Sequence, residues 1–79
     1  MDIVGVVRIF MKAKGMTVKD VAIEAGIARQ SVYNLLEEKR APSFETLERI
    51  ACAFDISLSE LIALAEERGQ ALADSKGAA

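Results

Sequence analysis

Residues 17–43 read TVKDVAIEAGIARQSVYNLLEEKRAPS, and the spacing within this stretch decides the fold. Two short helical patterns flank Gly26. Counting from Val18, Ala22 is the fifth residue, Gly26 the ninth and Val32 the fifteenth. Each position has a steric reason. Ala22 sits where two helices cross steeply, and a larger side chain would push them apart. Gly26 sits in the tight turn, where a positive φ costs glycine nothing. Val32 faces inward from the second helix and locks it onto the first. This is the spacing of a helix-turn-helix, whose second helix enters a DNA major groove.

Outward from the motif, the apolar period predicts three more helices. A first helix runs from Ile3 to Ala13, with Val7, Phe10 and Met11 on its inner face beside Ile3 and Val6, and Gly15 ends it. The second starts at Thr17, with Asp20 as the acidic partner of a capping box, and turns Val21, Ala22 and Ala25 inward. The third spans Ala28 to Glu37 with Val32, Leu35 and Leu36 on the core side. The fourth follows Pro42, takes Ser43 as its cap and buries Leu47, Ile50, Ala51 and Phe54. The fifth opens with the capping box Ser57-Leu58-Ser59-Glu60 and carries Leu58, Leu61, Ile62 and Ala65. Gly69 is expected to end it. That divides the chain into a domain of residues 1–68 and a short tail of residues 69–79.

A length of 79 residues suits one small domain, and 52% hydrophobic content with only 5% aromatics suits an all-helical core of Val, Ile, Leu and Ala. A core this small gains from burial in a dimer. No apolar run approaches a membrane span, and no secretory signal is expected. The lone Cys52 cannot form an internal disulfide, so a reducing cytoplasm is the expected compartment. It falls off the Leu47-Ile50-Ala51-Phe54 stripe and is expected to be a free, partly exposed thiol. With no histidine and no cysteine cluster, neither a metal site nor a cofactor is expected. The formal charge of −2 is unevenly spread. Residues 1–43 hold seven cations against five anions, and residues 44–79 hold three against seven. Phosphate attraction reaches about 8–10 Å at physiological salt, so the local surplus matters more than the total. The surplus is small, and nonspecific affinity should be modest.

The chain resembles the lambda-repressor-like (Cro/repressor, XRE-type) family of DNA-binding domains. The resemblance rests on Gly15-Met16-Thr17, Val21-Ala22, Gly26-Ile27, Val32, Leu35, Lys39-Arg40, Pro42-Ser43, Glu45-Thr46-Leu47, Ile50-Ala51, Ile56-Ser57-Leu58 and Leu61, across roughly residues 3–66. It implies an all-α fold of five helices. It also implies double-stranded DNA as partner, with base contacts from the third helix at Arg29, Gln30, Ser31, Tyr33 and Asn34. The residues themselves suit that work. Arginine can grip guanine O6 and N7, and glutamine adenine N6 and N7. Arg29 and Gln30 open the helix, and Tyr33 and Asn34 follow each of them by four residues on the same face. Phosphate contacts are implied at Thr17 and Lys19, at the start of the second helix, and at Lys39, Arg40 and Ser43 in the connector. They would set affinity without reading sequence. A dimer contact is implied around the fifth helix, where Ile62 and Leu64 exceed what one packing face needs and Ile56 can join them.

The chain departs from the family pattern at several positions. Val18 stands where the family usually has a phosphate-touching or bracing glutamine. Ala28 replaces a capping serine or threonine. A glycine usual near Glu38 is missing, and Glu37 and Glu38 would repel phosphate if they faced it. Met11 and Leu36 replace an arginine and a glutamate that many members bury as an ion pair. Removing one partner would strand a charge at about 3–5 kcal/mol, whereas removing both can be neutral. Met11 is therefore expected in the core.

These features point to a sequence-specific transcriptional regulator, a repressor acting as a homodimer on a palindromic site. No small-molecule effector is implied. The alternative is a protein-interaction module of the same fold that has lost specific DNA binding, which the acidic second half and Val18 favour. An enzyme is not expected, because no nucleophile–base pair or glycine-rich phosphate loop is present.

Overall fold

The computed structural model describes residues 1–77 and folds into five α-helices: α1 (Ile3–Lys14), α2 (Val18–Ala25), α3 (Arg29–Leu36), α4 (Phe44–Ala53) and α5 (Leu58–Gly77). There is no strand among the described residues. α4 packs on both α2 and α5, α1 packs on α5, and α2 on α3. The fully buried large side chains come from every helix: Val7, Val21, Val32, Ile50 and Leu61, with Phe54 at the end of α4. Phe54 stacks on Phe10 at 5.1 Å between ring centroids, which ties α1 to α4. Met11 and Leu36 are half-buried against this core, as their apolar character requires. Val18 packs there too, so the residue that replaces the usual glutamine serves the core. Near Leu36 the remaining tie between α1 and α3 is a long hydrogen bond of 3.5 Å, donated by the Arg8 guanidinium to the Leu36 carbonyl.

Four helices begin with a side chain that accepts a backbone N–H. Thr17 and Asp20 form a reciprocal capping box at α2, and Ser43 accepts from the Thr46 N–H at 3.2 Å. Ser57 accepts from the Glu60 N–H at 3.1 Å, and the Glu60 carboxylate reaches back to the Ser57 N–H. Asp2 caps α1 by accepting from the Gly5 N–H at 3.0 Å, a cap that the sequence reading missed. α3 has no side-chain cap, because Ala28 has nothing to offer. Cys52 is a free, exposed thiol.

The expectation that Gly69 ends α5 is wrong. The helix continues to Gly77, supported beyond Gly69 by the Gln70–Asp74 hydrogen bond of 2.9 Å. Gly69 has a packing role instead. A Cβ there would meet the Met1 nitrogen at 2.7 Å, so the missing side chain makes room for the first residues of the chain. Those residues are fastened to α5. The Asp2 N–H donates to the Ala65 carbonyl at 2.8 Å, and Arg68 Nε donates to Asp2 Oδ2 at 2.9 Å. Gly5 leaves space on the other side, where a Cβ would meet the Asp2 carboxylate and lie 2.7 Å from Arg68 Nε. Residues 78 and 79, the end of the expected tail, lie outside the described residues.

Two predictions concern these helix starts. The Gly5 N–H, and then Arg68, hold the Asp2 carboxyl below its ordinary value. A depressed folded value means that the stabilisation is complete above the unfolded pKa of about 3.9 and is lost as pH falls through the lower folded value. Asp2→Asn keeps a capping side chain but removes the charge. Urea unfolding should show a stability gap to the parent that is constant above about pH 5 and closes below about pH 4. A gap unchanged down to about pH 2 would assign the effect to something other than the charge. Ala28→Ser supplies the absent cap of α3 and should raise stability by about 0.5–1 kcal/mol, read as a higher thermal midpoint.

Candidate nucleic-acid interface

α3 is held by its inner side and presents the rest. Val32 and Leu35 are buried, whereas Arg29, Gln30 and Tyr33 are exposed and Ser31 and Asn34 half-buried. At 3.6 residues per turn, Gln30 lies nearly opposite Val32, with Tyr33 on one flank and Asn34 on the other. The turn before α3 makes this possible. Gly26 adopts φ 69°, and the Ile27 N–H bonds to the Ala22 carbonyl at 3.0 Å. The chain thereby reverses over Gly26, Ile27 and Ala28. Gln30 Nε2 donates to Asn34 Oδ1 at 3.0 Å, which joins two of the expected base readers.

The connector after α3 completes the surface. Glu38 takes the left-handed conformation at φ 56°, the place where a glycine was missed in the sequence. For a residue with a Cβ this costs about 1–2 kcal/mol. Lys39 turns back onto Glu37 at 3.1 Å, so the anion at the end of α3 is paired with the cation two residues on. Both are exposed, and such a pair contributes little to stability. Arg40 has no ion pair among the described residues. A cleft of about 270 Å³ lies between α3 and the start of α4 and is lined by Ser31, Asn34, Arg40, Ala41, Pro42, Ser43 and Thr46, with Leu35 at its base. It brings two expected base readers, Ser31 and Asn34, beside two expected phosphate contacts, Arg40 and Ser43. The Ser43 hydroxyl accepts from the Thr46 N–H and lies 3.0 Å from the Thr46 hydroxyl, so the two hydroxyls share a hydrogen bond at the edge of the cleft.

Thr17 and Lys19 stand on the first turn of α2 and do not line this cleft. The Thr17 N–H and hydroxyl are both engaged by Asp20, whose carboxyl these bonds hold below its ordinary value. An anion therefore already occupies the start of α2, leaving Lys19 as the cation there.

The three residues expected at a dimer contact do not form one patch. Leu64 is 39% exposed and lines an apolar groove of about 380 Å³ between α1 and α5, with Val6, Ile9, Phe10 and Ala71. Ile56 is half-buried against the core, and Ile62 is half-buried as well. Ile62 and Leu64 are two positions apart on a helix, so they project about 200° apart and face opposite flanks of α5. Counting apolar residues in the sequence revealed the surplus but not its division. Ile9, half exposed beside Leu64, was not anticipated.

No helix among the described residues is long and apolar enough to cross a membrane, and none of their acidic or cysteine side chains group as a metal site. A search of curated proteins returned no match. The model of the Cro/C1-type HTH DNA-binding domain matches residues 7–67, which spans all of α2, α3 and α4 and most of α1. That domain type is not enzymatic. An outward polar face on α3, a left-handed turn that holds it there and a basic connector beside it are what such a domain needs, and the chain belongs to the Cro/C1-type helix-turn-helix DNA-binding family.

Proposed function

We propose that this protein is a sequence-specific transcriptional repressor that binds a palindromic operator as a homodimer, with α3 in the major groove. The observation that carries this reading is the grouping on α3 and its connector. Arg29 and Gln30 sit at the helix start, where this motif reaches base edges, and Asn34 and Ser31 share a cleft with Arg40 and Ser43. The base readers at the helix start and the phosphate anchors of the connector thus lie on one surface, so docking on the backbone would set the register of reading. Lys19 adds a second backbone contact from α2, where Thr17, expected beside it, is engaged by Asp20, and Tyr33 flanks the reading face. Repression follows from occupancy of the site.

Selection from random duplex DNA at defined salt tests the assignment. An enriched palindrome is expected, and Arg29→Ala should relax preference at one or two of its base pairs. Arg40→Ala should weaken all duplexes alike and lower the salt slope by about 0.9, the share of one phosphate. Lys39, already paired with Glu37, should lower it by less. No enrichment even at low salt would favour the protein-interaction reading, which the apolar α1–α5 groove supports.

The homodimer is proposed to form through α5, with Leu64 as its exposed anchor and Ile9 beside it; Ile56 and Ile62 contribute at most their half-exposed edges. Two-fold pairing would set the recognition helices about 34 Å apart, one DNA turn, and so require the palindrome. Leu64→Glu should then give a folded monomer with much weaker operator binding. Sedimentation and circular dichroism on that variant decide the matter, and a variant that stays dimeric would move the interface off this flank.

A further inference from the structure

The bond between Gln30 and Asn34 changes what Gln30 can recognise. At a base edge a glutamine is ambiguous, because its terminal amide is free to rotate and can present either end. Adenine and guanine both offer the N7 acceptor in the major groove. They differ at the neighbouring atom, which is a donor on adenine (N6) and an acceptor on guanine (O6). With one N–H committed to Asn34 Oδ1, the Gln30 amide keeps one N–H and its oxygen. That pair complements N7 and N6 of adenine. Against guanine it would set the glutamine oxygen on O6, acceptor against acceptor.

We propose that Asn34 is a positioning residue that makes Gln30 select adenine over guanine, one base pair in each half-site, and does not itself read a base. The proposal rests on the DNA-reading function above. The place of Asn34 supplies the direction of the bond. Asn34 is half-buried and lines the cleft that also holds Arg40 and Ser43. A phosphate drawn to Arg40 accepts hydrogen bonds and donates none. It therefore turns the Asn34 NH₂ toward itself and Asn34 Oδ1 toward Gln30. Asn34 Oδ1 in turn takes a Gln30 N–H and fixes which end of that amide faces the groove. Contact with the DNA backbone thus sets the orientation of the base contact, and Gln30 is ordered before it meets the base.

The test reads preference rather than affinity, since a loosened helix would weaken every duplex equally. Selection from random duplexes is run with the parent, Gln30→Ala, Asn34→Ala, Asn34→Asp and the double alanine variant, each checked for helix content. Titrations against the enriched site and its A·T to G·C replacement follow. The parent should enrich an A·T pair whose replacement costs about tenfold in binding. Gln30→Ala and Asn34→Ala should each erase preference at that same pair, and the double variant should erase no more than either single one. Asn34→Asp still offers an acceptor to Gln30. It should keep the adenine preference while binding all duplexes more weakly. Three results overturn the proposal: full preference in Asn34→Ala, loss at a different base pair from Gln30→Ala, or loss of preference in Asn34→Asp. A parent that enriches no sequence would remove the DNA-reading function and this role with it. An enriched site indifferent to Asn34 would remove only this role.

Discussion

Everything outward of the core depends on the left-handed turn at Gly26. With φ at 69°, the chain leaves α2, closes the end of that helix through the Gly26 and Ile27 N–H groups, and re-enters α3. Val32 then falls into the core with no exposed surface, and the opposite face of α3 points away from the protein. A side chain at this position would strain the backbone and bring a Cβ within 3.4 Å of the Arg49 guanidinium. The small Ala22 and Ala25, both buried, allow α2 to accept its neighbours closely. The direction of the outward face of α3 is therefore a backbone property, enforced by sterics before any polar residue is considered.

α3 itself has little that stabilises it locally. It is eight residues long, has no side-chain cap and ends against a glutamate in a left-handed conformation. A helix of that length is marginal in isolation. Its order comes from the burial of Val32 and Leu35 in the core, with α2 as its main neighbour, so the fold of this helix and the integrity of the core are one thermodynamic quantity. α2 and α4, by contrast, are capped at their starts by Thr17 and Ser43. The surface meant to meet a partner is thus the one least stabilised on its own, as is common where function sets the residues.

Charge is arranged by distance from that surface. The outward face of α3 and the connector carry Arg29, Lys39 and Arg40, and the nearby Glu37 is matched by Lys39. Asp2 and Arg68 form their pair at the junction of α1 and α5. That pair joins residues 66 positions apart, and Gly5 and Gly69 clear the space around it. The net charge of −2 conceals this division, which is why composition alone argued weakly about a nucleic-acid partner.

Much of the molecule was legible in the order of its residues. The periods of Val7, Val21, Val32, Ile50 and Leu61 identify the buried side of each helix, because apolar side chains must share one face to leave water together. Thr17 with Asp20, Ser43 and Ser57 with Glu60 mark helix starts, because their oxygens reach N–H groups only a turn away. Ala28 and Glu38 announced weak ends by the same local chemistry. What the sequence could not settle depends on contacts between distant segments. Gly69 looks like a helix stop until Met1 is seen to lie against it, and Asp2 gains its partner Arg68 only when α1 packs on α5. Ile62 and Leu64 look like one apolar surplus until α5 is docked and its two flanks face different surroundings. The local code determined the five helices and the polar face that α3 turns outward. Only tertiary packing decided which side chains meet across it and which glycine makes room for another segment, since both follow from approach distances that no local rule contains.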